Sequence, residues 1–235
     1  MLRIFGAALG VWLGVASFAL AQSGTDSPVV VELYTSQGCS SCPPADAILK
    51  GLAAREDVIA LGLHVDYWDY IGWKDNFADP AFSKRQRAYA RAAGARSVYT
   101  PQMIVGGREH LVGSRVAELD RLLRRYAGQK SNIALSIARK GDGVRLTARA
   151  NGGLPGAAIV QLVRYRPMSR VEIRRGENAG RVLDYANVVT TWARVAEWDG
   201  RSDLSLDVAA EGPEPVVVII QQAGPGPILA AARLR

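Results

Sequence analysis

The chain has 235 residues, 49% of them hydrophobic and 22% charged, with a formal net charge of +7 and only two cysteines. Two cysteines exclude a four-thiolate zinc site. The arginines are spread along the chain without a basic tail, the pattern of a solvated basic surface rather than of a nucleic-acid binder.

Residues 1–21 read as a secretory signal peptide: Arg3, an apolar core from Ala7 to Leu20, and the small-residue ending Ala19-Leu20-Ala21 with cleavage after Ala21. No later apolar run is long enough to cross a bilayer, so no membrane span is expected once the leader is removed. The expected address is the bacterial periplasm or the secreted fraction, where disulfides persist.

Val29 to Tyr34 is an apolar, β-branched run and predicts a strand buried on both faces. It leads into Cys39-Ser40-Ser41-Cys42-Pro43-Pro44, which holds both cysteines. Beyond it, Ala45, Ile48, Leu49, Leu52 and Ala53 recur at the spacing of an amphipathic helix, with the prolines suited to its first turn. Two thiols therefore sit where a strand becomes a helix. Unpaired amides and the helix dipole stabilise a thiolate there, which points to Cys39, the outer thiol, as nucleophile and Cys42 as the resolving thiol.

Two other readings stand beside this one. A structural staple across about four residues would remove only about 2 kcal/mol of chain entropy, against about 3 for a loop of about 15. A Cu(I) site would need these thiolates and a further ligand from His64, Met103 or a second molecule.

Val58 to Val65 predicts a second buried strand, parallel to the first through a right-handed crossover. Its end, His64-Val65-Asp66, then lies beside the cysteines, at the strand ends where open α/β sheets bind ligands. Asp66 to Phe77 has no period and is rich in rings. Tyr67, Trp68 and Trp73 are candidate substrate-binding residues, an apolar rim that grips a peptide; the alternative is a loop packed onto its own domain. Asp79-Pro80 opens a helix that carries Phe82 and Tyr89 and stops at Gly94. Thr100-Pro101-Gln102 precedes a strand to Val105, Gly106-Gly107 turns it back through Arg108 to Val112, and Ser114 caps a helix with Leu119, Leu122, Leu123 and Tyr126 inward.

This order, with Cys-x-x-Cys after the first strand and a proline opening the third, resembles the thioredoxin superfamily. Local wording is closest to glutaredoxins: Glu32-Leu33-Tyr34-Thr35-Ser36-Gln37-Gly38-Cys39, then Thr100-Pro101-Gln102 and Gly106-Gly107. The whole chain also resembles a family of exported bacterial proteins of unknown function that append a β-rich part to such a domain. The resemblance implies an α/β thioredoxin-like domain over residues 28–128, strand order 2-1-3-4. It makes Cys39 the attacking thiol, Cys42 the resolving thiol and Pro101 a cis proline facing them. Thr100 would offer its backbone to the substrate, and Glu32 would be the buried carboxylate that shuttles a proton to the deeper cysteine. Ser40-Ser41 departs from the pairs usual in these relatives, so the potential does not carry over from active sites that span about −270 to −120 mV. Gly113-Ser114 matches the glutathione-holding position only loosely.

From residue 131 apolar residues alternate: Ile133, Leu135, Ile137, then Val144, Leu146, Ala148 after a Gly141-Asp142-Gly143 turn. Short strands separated by turn residues continue to the end and predict an all-β, sandwich-like domain over 131–235. Arg174 to Gly180 lacks the lysine and ordered glycines of a phosphate loop and reads as a polar hairpin loop; Trp192 and Trp198 read as core or hairpin-packing aromatics. The expected activity is thiol–disulfide exchange through Cys39-x-x-Cys42 on exported protein thiols and disulfides, served by a redox partner protein, with no cofactor and no metal. A copper-binding protein and a redox-silent interaction module are the alternatives.

Overall fold

The structure, a computed structural model, describes residues 24–235; the expected signal peptide lies outside the described residues. The elements are β1 (Gly24–Asp26), β2 (Val29–Thr35), α1 (Pro43–Ala53), β3 (Val58–His64), a 3-10 turn (Asp69–Ile71), α2 (Pro80–Ala92), β4 (Gln102–Val105), β5 (Glu109–Val112) and α3 (Val116–Tyr126). They continue as β6 (Lys130–Lys140), β7 (Gly143–Ala150), β8 (Ala158–Glu172), β9 (Val182–Trp198), β10 (Leu204–Ala209), β11 (Val216–Gln222) and β12 (Ile228–Leu234).

β2 and β3 are buried along their whole length and pair in parallel, from Val29 opposite Val58 to Thr35 opposite His64. β4 lies antiparallel on the other side of β2, and β5 beyond it. Gly106 and Gly107 lie at φ of 60° and 70° in the three-residue turn between Val105 and Glu109, a left-handed region that glycine adopts at no steric cost. Asp79 caps α2 by accepting from the Ala81 amide at 2.8 Å. Ser114 does not cap α3: the N-cap position is Arg115, with no side-chain capping bond.

The second half does not close a large sheet of its own. β8, β9, β11 and β12 extend the first one, in the order β12-β11-β8-β9-β3-β2-β4-β5. The stretches expected as units at 28–128 and 131–235 thus share an eight-stranded sheet. The seam is β3 against β9, a single parallel pair of Gly62 and Val188. Asn187 closes it by taking a left-handed φ of 48° and donating from Nδ2 to the Ala60 carbonyl at 2.8 Å. That is a conformation asparagine tolerates better than most residues. β1, β6, β7 and β10 form a separate four-stranded antiparallel sheet, in that order.

Alternation along each strand sends side chains to both faces, and both are covered. On one face α2 brings Phe82 and Tyr89 against Val30, Tyr34, Leu61, Val163 and Ile219. On the other, α1 and α3 cover Leu33, Ala60 and Met103. The small sheet covers the far end of that same face, with Ile133 and Leu146 against Val160, Val218 and Ile220. The sandwich therefore lies between the small sheet and the second-half strands of the large one. Among the described residues no helix is long and apolar enough to cross a membrane.

Candidate functional site

Cys39 and Cys42 are joined in a disulfide, their Cα atoms 5.4 Å apart, in the turn between β2 and α1. The Cys39 amide donates to the Ser36 carbonyl at 3.2 Å and the Cys42 amide to the Cys39 carbonyl at 3.2 Å. The Cys42 carbonyl accepts from Ala45 and Asp46 and opens α1. Pro43 and Pro44 fill first-turn positions whose amides would have had no partner in the helix. Cys42 lies at the N-terminal end of the helix dipole, where a thiolate is stabilised.

The carboxylate of this site is Asp46, not Glu32. On β2, Val31, Leu33 and Thr35 face α1, whereas Val30, Glu32 and Tyr34 face α2. Glu32 therefore points away from the cysteines. It accepts from Arg85 Nε at 2.7 Å, Arg85 Nη2 at 2.9 Å, Tyr34 at 2.9 Å and Tyr89 at 2.7 Å. Asp46 stands four residues after Cys42, on the same side of the helix. It is buried and accepts from Thr35 Oγ1 at 2.8 Å, but its Oδ2 has no partner among the described residues. Burial pushes its carboxyl up to about 7, only partly offset by nearby His64 and the Thr35 hydrogen bond, with Asp75 adding to the rise. A cleft of about 680 Å³ between α1 and the start of β9, lined by Pro43, Pro44, Asp46, Lys50 and Arg181 among others, connects it to solvent.

His64, at the end of β3, lies in the same buried cluster. Its Nδ1 is 2.7 Å from Asp75 Oδ2, which also accepts from the Gln37 amide at 2.8 Å. Tyr185 on β9 packs edge-on against the imidazole with ring centres 4.9 Å apart, and its buried hydroxyl lacks a partner among the described residues. Met103 is sealed in the apolar layer beneath α1 and α3. Among the described residues no three His, Cys, Asp or Glu side chains cluster as metal ligands.

The structure brings Pro101, Thr100, Trp68 and Trp73 to the same place, but not Tyr67. The Thr100–Pro101 bond is cis. Gly113 is the spacer: its amide donates to the Pro101 carbonyl at 2.9 Å, and a Cβ on it would lie 3.0 Å from Ala45 Cβ and 3.2 Å from Pro101 Cβ. Pro101 is thus packed close to the first turn of α1. Trp68 Nε1 donates to Thr100 Oγ1 at 2.7 Å, while the Thr100 backbone pairs with no other described residue. Trp73 Nε1 donates to Gln37 Oε1 at 2.8 Å, just before Cys39. Tyr67 is directed to α2 instead, its hydroxyl 3.0 Å from Gln86 Oε1. Trp68 stacks on Tyr70, which is 82% exposed, so the rings form a rim as well as packing on the domain.

Two residues that sequence reasoning passed over come from the turn between β8 and β9. Asn178 Nδ2 donates to the carbonyls of Gln37 and Cys39, at 2.9 Å each, and Glu177 Oε2 accepts from the Ser40 amide at 3.2 Å. Hydrogen bonding from Ser40 holds the Glu177 carboxyl below its ordinary value. With this turn and the aromatic loop in place, Cys39 is only 1% exposed and Cys42 not at all. Asp46 carried a readable signal, an acid on the apolar stripe one turn after Cys42. Nothing local to residues 174–180 marks that turn as part of a site.

The family description that matches the chain, over residues 30–221, is "Protein of unknown function (DUF1223)". No curated protein matches. A crystal structure of a protein from Agrobacterium tumefaciens is similar at 36% identity and a TM-score of 0.75, covering 88% of this chain and 93% of that one. HBP35 of Porphyromonas gingivalis is similar at 14% identity and a TM-score of 0.60, covering 91% of this chain and 76% of that one, a likeness of fold alone.

Proposed function

The chain belongs to the family described as "Protein of unknown function (DUF1223)", and we propose for it a thioredoxin-like thiol–disulfide oxidoreductase of the exported compartment that acts through Cys39 and Cys42. One observation carries this reading: a lone disulfide at the N-terminus of a helix whose first turn packs close to Pro101, with a buried carboxyl poised near neutrality one turn on.

A substrate thiolate attacks Cys39 Sγ; the Cys39–Cys42 bond breaks as the mixed disulfide forms, and Cys42 leaves as a thiolate. Asp46, raised to about 7, is half protonated at neutral pH and supplies the proton that Cys42 takes up. A second substrate thiolate then attacks its own sulfur in the mixed disulfide and releases Cys39. The substrate has lost two electrons and the protein holds two thiols. In the reverse direction Asp46 accepts the proton and Cys42 resolves the mixed disulfide. The Thr100 backbone and the rim of Trp68 and Tyr70 hold the substrate chain.

The burial of Cys39 favours a second reading, a permanent bridge in a redox-silent module. Trapping separates the two. A Cys42→Ala variant expressed in the exported compartment accumulates mixed disulfides through Cys39 if the site exchanges with proteins. A variant that captures none, with Cys39 protected from alkylation in the folded state, establishes the permanent bridge.

A further inference from the structure

The two serines that follow Cys39 are exposed, yet Cys39 is not, so its cover is local. Part of it is the aromatic loop: a Cβ on Gly38 would sit 3.0 Å from Ile71 Cδ1. The rest comes from the β8–β9 turn, more than 130 residues away in sequence. In that turn Glu177 and Ala179 are exposed, whereas Asn178 between them is 1% exposed. The Asn178 amide has a defined orientation. Arg181 Nη1 donates to Oδ1 at 2.9 Å, and since Arg has no acceptor, both amide hydrogens are left for the carbonyls of Gln37 and Cys39. The base of the turn is anchored by fully buried Ile173, whose carbonyl accepts from the Gly180 amide at 2.8 Å. Gly176, at a φ of 76°, lets the turn approach Trp73, whose Cβ would be 3.2 Å from any added Cβ.

We propose that Glu177 and Asn178 are specificity-determining residues of the disulfide site, a strap that keeps small thiols from Cys39 and yields to a polypeptide. The inference rests on the thiol–disulfide reading and adds the class of partner. A thiolate must reach Cys39 Sγ before the Cys39–Cys42 bond can break. The strap occupies the approach with two donors on backbone carbonyls and one acceptor on a backbone amide. An extended chain carries amides and carbonyls of its own, so it replaces those bonds as it displaces the strap. A small thiol offers no such exchange and must wait for spontaneous opening.

The test is the rate at which dithiothreitol reduces the oxidised protein, and dithiothreitol disulfide reoxidises it, for wild type, Asn178→Ala and Glu177→Gln. Asn178→Ala is expected to speed both directions about tenfold, the factor for two ordinary hydrogen bonds no longer opposing opening. Because both directions rise together, the equilibrium with dithiothreitol stays within about twofold of wild type, which a variant that merely destabilised the oxidised fold would not do. Glu177→Gln, at an exposed side chain, gains about threefold and decides the matter should Asn178→Ala fail to fold. With reduced, unfolded ribonuclease A as the thiol donor, Asn178→Ala gains less than about threefold. Rates within twofold of wild type for both variants overturn the strap; an equal gain with dithiothreitol and with ribonuclease overturns its selectivity. These outcomes do not depend on captured partners, so the proposed activity fails separately, in the Cys42→Ala trap.

Discussion

Two buried carboxylates, Glu32 and Asp46, lie on opposite faces of the same sheet and are treated very differently. Glu32 accepts from four donors. Its partner Arg85 lies 3.9 Å above the Trp192 ring and reaches Gln161 and Gln221, while Gln221 in turn donates to Tyr89. These residues come from β2, α2, β8, β9 and β11, so the network clasps the two halves of the chain together. Among the described residues Asp46 has one donor and an oxygen with no partner, and it lines a cleft that leads to water. A carboxylate with every lone pair answered is fixed in place. One left short of donors sits near neutrality, where it can give or take a proton. Burial alone does not separate structure from chemistry; the count of partners does.

The largest effect comes from breaking the satisfied network. Glu32→Ala leaves Arg85 buried and uncompensated, and is expected to cost about 3–5 kcal/mol in urea unfolding at pH 7. The pH profile of thiol exchange in the folded protein should not change, since Glu32 faces away from the cysteines. A profile that lost its inflection near neutrality in this variant would return the proton to Glu32.

Asp46→Asn sharpens the contrast from the other side. The Asp46 carboxyl titrates at about 7 in the fold against an ordinary 3.8, so between those values the folded protein binds more protons than the unfolded chain. Stability from this group is full below about pH 4 and falls as pH rises to about 7, by roughly 4 kcal/mol in all. Asn carries no such slope. The stability gap between Asp46→Asn and wild type should therefore widen in the variant's favour across that window, and the inflection near 7 in the exchange rate should vanish. Parallel stability curves would sink the assignment.

Why the sequence reading takes Glu32 for the carboxylate of the site and passes over Asp46 follows from how each is placed. The β2 and β3 runs are mostly apolar because both faces are covered, and that marks a buried strand without saying which residue meets which helix. Glu32 precedes the cysteines in a familiar string of residues, and resemblance assigned it the proton; the alternation that turns it toward α2 depends on register. Asp46 is buried beside Ala45, Leu49 and Leu52, where an acid is out of place, a signal the sequence holds but the reading does not take up. The cysteine pair and the β4–β5 hairpin are local and were readable. Asn178 and the β3–β9 seam are not: each joins residues more than 120 positions apart through one polar side chain, and the composition of a polar turn says nothing about what it touches.

The smallest expected effect tests whether the aromatic loop belongs with the starved site or with the packed frame. Trp68→Phe keeps a ring to stack on Tyr70 but removes the hydrogen bond to Thr100 Oγ1. One half-buried bond of this kind is worth about 1 kcal/mol, so the unfolding midpoint should shift only slightly. If the bond sets the rim over the Thr100 backbone, the KM for a polypeptide thiol rises about threefold while reduction by dithiothreitol is unchanged, because dithiothreitol makes no use of the rim. A loop that merely packs on its own domain would show the stability shift and leave KM alone. Since the strap is expected to govern small thiols and the rim polypeptides, Asn178→Ala and Trp68→Phe should act independently when combined; a strong departure from additivity would mean that the two covers of Cys39 open as one.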